Sequence, residues 1–156
     1  MRSLYFSLVN PYYEYGNIVW AVNNLVSLQK LFITQKKAIR IISNAKWWEH
    51  THPIFRRLHI LKIDEIHKLQ VACFMFRVCK GFSPSYFSSI FFVSMQMYII
   101  IILDMLGITI PVHRTTLLKH TIRIAGPLIW NSIDYNIRSS NNISSFRARF
   151  KRLLLS

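Results

Sequence analysis

Apolar residues recur along this chain at intervals of three and four, the spacing that gives a helix one oily face. The clearest case runs from Leu25 to Asn44. Leu25, Leu28, Leu31, Phe32, Ala38, Ile39 and Ile42 mark one side. At about 100° per residue, Lys30, Lys36, Lys37 and Arg40 fall on the opposite arc. That arc reads as a solvated charged face or as a phosphate-contacting one. Asn23 or Asn24 is placed to cap the start. A second long helix is predicted from Ile63 to Cys79, with Ile66, Leu69, Ala72, Cys73 and Phe76 along one side and Gly81 as its stop. Asp64 and Glu65 in its first turn complement the helix dipole. A third, Ser144 to Leu155, carries Phe146, Phe150, Leu153 and Leu154 as its stripe. Arg147, Arg149, Lys151 and Arg152 supply its charge, and Ser144 or Ser145 its cap.

The connecting segments are read from their breakers. Near the N-terminus Leu4 to Val9 is short and apolar, and Asn10-Pro11 should end it, because proline disfavours helical geometry in the residue before it. Tyr12, Tyr13, Tyr15 and Trp20 surround Gly16. They suggest a packed turn rather than exposed aromatics for base stacking. Trp47 and Trp48 lead into His50-Thr51-His52-Pro53, where Pro53 suits the first turn of a short helix, Ile54 to Leu58. Thr115 to Ile124 mixes Lys119, His120 and Arg123 with apolar residues, and Gly126-Pro127 is expected to break the chain direction before Trp130.

One stretch departs from this pattern. Gly81 to Leu103 holds no charged residue, and Ile99 to Ile102 are consecutive isoleucines. About 18 uncharged apolar residues raise the hypothesis of a membrane span. Ser83, Pro84, Ser85, Ser88, Ser89, Ser94 and Gln96 dilute it, and only Ile90 to Leu103 is strongly apolar.

Composition narrows the function classes. The 156 residues fit one domain, long enough to bury roughly two-thirds of the unfolded surface. Twenty Lys and Arg against six Asp and Glu give a net charge of +14, which favours an acidic polymer or anionic surface as partner. Hydrophobic residues at 52% and aromatics at 14% exclude simple disorder. Two cysteines, Cys73 and Cys79, cannot build a disulfide framework, which points to an intracellular protein without choosing nucleus or cytoplasm. Four glycines form no phosphate loop, and the N-terminal segment has no signal-peptide pattern. His50, His52, His59 and His67 lack the tight pairing of a zinc site. No nucleophile elbow or paired acid and base is visible among Glu14, Glu49, Asp64, Glu65, Asp104 and Asp134. The chain reads as a binding or structural piece, with no small-molecule substrate, catalytic residue, metal or cofactor assigned.

Five phrases, in order, resemble the region downstream of the polymerase core in jockey-type non-LTR retrotransposon reverse transcriptases. They are LYFSLVNPYYEYGNIVW at 4–20 with LQKLFITQKKAIRII at 28–42, HTHPIFRRLHILKIDEIHKLQ at 50–70, IRIAGPLIWNSI at 122–133, and the closing SSFRARFKRLLL. The resemblance covers nearly the whole chain. It implies a parent RNA-directed DNA polymerase whose magnesium-binding palm carboxylates, in a tyrosine-x-aspartate-aspartate motif, lie upstream. This chain holds no such motif and should not polymerise on its own. The resemblance implies a thumb-like, post-polymerase helical region over 1–89, an anomalous apolar stretch over 90–110 and a helical tail over 111–156, together one folding unit.

It also offers an origin for the anomaly. After a phrase like FSPSYF at 82–87, the family usually carries a polar run ending in tyrosine, asparagine, threonine and arginine. Every isoleucine codon is A-T followed by T, C or A, so an isoleucine that follows another becomes Tyr, His or Asn when read one base earlier. Codons permitted for Met95 to Ile108 then yield that polar phrase. The expectation is an out-of-frame read of about 15 residues between two compensating shifts. A membrane segment and a buried core helix are the other two readings of it.

The expected fold is mainly α: several amphipathic helices around one core, with an irregular stretch near 90–115. The expected function is a non-catalytic C-terminal fragment of a mobile-element reverse transcriptase. Its partners would be the missing palm domain and RNA or DNA, contacted through Lys30, Lys36, Lys37, Arg40, Arg147, Arg149, Lys151 and Arg152. The alternatives are a small basic membrane protein with one span within 82–103, and a helical adaptor for acidic proteins.

Overall fold

The structure is a computed structural model, and it describes residues 2–21, 25–91, 108, 110 and 121–156. The fold is mainly α, with no strand among the described residues. By internal contacts the chain forms two compact units, Met1–Lys68 with Arg152–Ser156, and Leu69–Lys151. Of the expected irregular stretch near 90–115, the four isoleucines and the out-of-frame window lie outside the described residues, apart from Ile108. The proposed caps Asn23 and Asn24 lie outside them too. No described helix is long and apolar enough to cross a membrane, and most of the 82–103 span is among the residues not described.

The first unit starts with α1 (Arg2–Leu4), a π-helical segment Tyr5–Val9, α2 (Asn10–Glu14) and α3 (Asn17–Trp20). The expectation that Asn10-Pro11 ends helical structure is corrected. A new helix starts there, because proline in a first turn forfeits no intrahelical hydrogen bond. The turn at Gly16, φ 60°, is the packed turn expected only in part. Tyr13 is buried and Trp20 Nε1 donates to the Tyr15 carbonyl at 2.6 Å, while Tyr12 and Tyr15 stand in solvent.

The long helix α4 (Leu25–Ser43) ends at Asn44, φ 52°, where the Ala45 amide donates back to Arg40 at 3.0 Å. Together with α5 (Thr51–Leu58) it closes a core of Tyr5, Ile39, Ile54, Phe55 and Ile60, flanked by Phe6, Phe32 and Ile42. Burying each such side chain contributes roughly 1.5–3 kcal/mol. Inside this apolar face sits Gln35, fully buried. Its amide nitrogen donates to Tyr5 Oη at 3.0 Å and to the Leu61 carbonyl at 2.9 Å, and its oxygen accepts from the Ile63 amide at 3.1 Å. Three bonds satisfy most of what a buried amide demands. Helix α6 (Ile63–Cys79) starts with the Lys62 amide donating to Glu65 Oε2 at 2.9 Å, the glutamate half of a capping box, and Lys62 Nζ pairs with Glu65 Oε1 at 3.4 Å. In this unit the Arg56 guanidinium donates to the Leu155 carbonyl.

In the second unit α6 buries more than the expected stripe: Val71, Met75 and Val78 join Leu69, Ala72 and Phe76. Gly81, φ 72°, ends the helix as expected. There follow α7 (Ser85–Phe91), α8 (Ile122–Asn131), α9 (Tyr135–Arg138) and α10 (Ile143–Leu155). Gly126-Pro127 does not break the chain as expected; α8 runs through it. A Cβ on Gly126 would stand 2.7 Å from Met75 Sδ, so the glycine serves a close helix approach, not a turn. Phe76 and Phe146 stack at 4.7 Å, with Trp130 5.8 Å from Phe146. Asn142, not Ser144 or Ser145, caps α10: its Oδ1 accepts the Ser145 amide at 2.7 Å. The Asn131 side chain brackets the Ile108 backbone, accepting its amide at 2.7 Å and donating to its carbonyl at 2.8 Å. Arg138 is buried with its Cζ 6.0 Å from the Trp130 ring centre.

Candidate nucleic-acid interface

The four cations of α4 fall within about 120° of helix circumference but differ in exposure. Lys30 and Lys37 are exposed, 20° apart by helical spacing, whereas Lys36 and Arg40 are half-buried and turn towards the chain that follows. The Lys36 ammonium lies 4.3 Å from the Phe32 ring centre, and Arg40 Nη2 donates to the Glu49 carbonyl at 3.2 Å. Lys36 therefore stands on the rim of an open groove of 680 Å³. Phe32, Phe55 and Ile63 contribute to its apolar lining, and Gln29, His50, Thr51, His52, Lys62 and Asp64 complete its polar lining beside Lys36. Phe32 and Phe55 stack at 6.2 Å within it.

On α10 the cations spread over about 200° of the helix circumference. Arg147, Arg149 and Arg152 are exposed and Lys151 is half-buried. Arg147 and Lys151 are one turn apart, and Arg149 Nη1 is held by the Asn136 carbonyl at 3.2 Å. Arg147, Arg149 and Lys151 belong to the second unit, and Arg152 groups with the first.

The structure adds residues that the periodicity argument passed over. Lys46, Trp47 and Trp48 form an exposed turn after α4, with the Lys46 ammonium 5.3 Å from the Trp48 ring centre. Lysine beside two tryptophans outside any helical stripe was the available signal.

Histidines divide by environment. His50 and His52 share the groove, and His67 is half-buried beside Asn17. Asn17 Nδ2 donates to the Tyr13 carbonyl at 2.9 Å, so its oxygen is the acceptor facing His67 and Nδ1 carries the proton. Burial lowers the His67 pKa, with the Asn17 bond opposing the shift. Burial also pushes the Tyr5 hydroxyl up to about 12, against the Gln35 hydrogen bond. Among the described residues no three His, Cys, Asp or Glu side chains converge as metal ligands. Comparison with protein-family models, curated proteins and solved structures finds no match for this chain.

Proposed function

We propose that this chain is a non-catalytic C-terminal piece of an RNA-directed DNA polymerase of the jockey-type non-LTR class, and that it retains contact with RNA or DNA through its basic helices. The observation that best supports the reading is an exposed apolar stripe at the N-terminal end. Leu4, Leu8 and Tyr12 follow one another at helical intervals, Tyr15 and Val19 are exposed at and after the turn at Gly16, and Tyr12 and Tyr15 are 81% and 86% exposed. A run of large apolar side chains in water marks a surface that another body covers. In the proposed parent that body is the palm domain, which also holds the magnesium; no polymerising step belongs to this chain.

Two experiments test the two halves of the proposal. Sequencing the locus should reveal an upstream frame, intact or decayed, encoding the palm carboxylates, with small compensating shifts flanking the codons for 95–108. A self-contained gene with no polymerase frame upstream would refute the origin. Titration of the purified chain with oligonucleotides over a range of salt should show affinity falling steeply, since phosphate contacts release counterions. Failure to bind at low salt would refute retained contact, and stable insertion of the 82–103 segment into bilayers would favour the membrane alternative.

A further inference from the structure

We propose that the turn Lys46–Glu49 is a platform on which unpaired bases of a single-stranded nucleic acid stack, against the open indole faces of Trp47 and Trp48 and beside the cations of Lys46 and Arg40. The proposal rests on the nucleic-acid reading above and gives it a place and a strand type.

Tryptophan is ordinarily among the most buried side chains. Here Trp47 is 79% and Trp48 60% exposed, side by side. Their rings meet edge to face, centres 5.6 Å apart and planes at 89°. That contact covers one face of one ring and the Lys46 ammonium lies over Trp48, so flat indole surface still remains open to a second aromatic body.

The turn presenting them is fixed rather than loose. The left-handed Asn44 and the Ala45 amide bond to Arg40 set its entry, the Glu49 amide donates to the Lys46 carbonyl at 3.1 Å, and the Arg40 guanidinium holds the Glu49 carbonyl. Ordering before binding lowers the entropy lost when a ligand docks.

Charge selects the ligand class. Lys46 already sits over Trp48, and Arg40 bonds to the same turn. Lys36 lies one helical turn before Arg40, on the rim of the groove that His50 and His52 share. The unit as a whole holds eleven Lys and Arg against four Asp and Glu, one of which, Glu49, lies in the turn itself. Aromatic faces interleaved with cations suit a polymer that alternates planar bases and phosphates. A duplex keeps its base faces stacked on each other, so an unpaired strand is the form that can use both features. A bilayer would have to accept the Lys46 ammonium with the indole it covers, which counts against insertion.

The test uses the full chain, a short oligothymidylate and the matching oligouridylate, a DNA duplex, and phosphatidylcholine–phosphatidylserine vesicles. Single strands should quench tryptophan emission. Replacing both Trp47→Leu and Trp48→Leu should abolish most of the quenching and weaken binding by about tenfold, leaving the salt slope unchanged. Trp47→Tyr with Trp48→Tyr should retain most of the affinity, because stacking needs an aromatic ring and leucine supplies only apolar area. Circular dichroism would verify that the variants keep their helices. Equal affinity in the leucine variant overturns the platform while nucleic-acid contact stands. A wild-type chain that binds no oligonucleotide at low salt overturns both. A blue shift on vesicles without response to single strands assigns the indoles to a membrane surface and overturns the platform as well.

Discussion

Gln35 and His67 show how much single polar residues decide in this chain. Gln35 joins the N-terminal helices, α4 and the entry to α6 by three hydrogen bonds. Gln35→Ala strands the Ile63 amide and the Leu61 carbonyl, and should cost about 2–3 kcal/mol in urea unfolding; a change below about 0.5 kcal/mol would mean that water replaces the amide without loss. His67 is held neutral by burial, below its ordinary value of 6.5. In the unfolded chain it binds a proton as pH falls through 6.5, whereas the folded chain resists. Stability is therefore fully present above that value and is lost as pH falls towards the folded pKa. Comparing wild type with His67→Gln by denaturation above and below 6.5 should show a shallower acid loss in the variant; parallel profiles would exclude His67 as the cause. Neither role was legible beforehand. Gln35 occupies a core register without being apolar, and only the fold brings residue 17 beside residue 67.

Elements were more legible than their partners. The spacing places α6 at Ile63–Cys79 as observed and α4 within a residue of its end, because hydrophobic period and stop signals are local. Gly126-Pro127 has the composition of a break yet lies inside α8, since the glycine that often ends a helix also allows two helices to touch. Gly126→Ala should gain about 1 kcal/mol of helix propensity and lose about 1–3 kcal/mol through overpacking against Met75, for a net loss. In a Met75→Ala background the same change should become stabilising; a loss that persists there would refute the steric account. On α10, Arg147→Gln and Lys151→Gln should each lower the salt slope for single strands by about 0.7 if each holds one phosphate. Unchanged slopes would leave that face out of the interface.

For the whole molecule, the exposed apolar stripe and the positive charge pull solubility in opposite directions. Leu8→Lys, Tyr12→Lys and Val19→Lys together should raise solubility and suppress self-association measured by light scattering, with little change in the unfolding midpoint. Unfolding of that variant would show that the stripe packs inside this chain, removing the principal support for a missing neighbour. Net charge was fixed by counting, but its placement was not. Along the basic arc of α4, Lys30 and Lys37 stand in water while Lys36 lines the groove and Arg40 bonds to the tryptophan turn.

By itself the sequence determined what depends on neighbours three or four residues away: the helical class, the long helices, the left-handed stop at Gly81 and the excess of cations. The tertiary structure decided what depends on residues far apart in the chain: Gln35 as a polar joint, Gly126 as a contact, Asn17 against His67, and two tryptophans left outside. Periodicity records which face of a helix is oily. It does not record which surface meets that face, or whether an aromatic residue in a turn finds one, because burial is settled by the packing of separate segments.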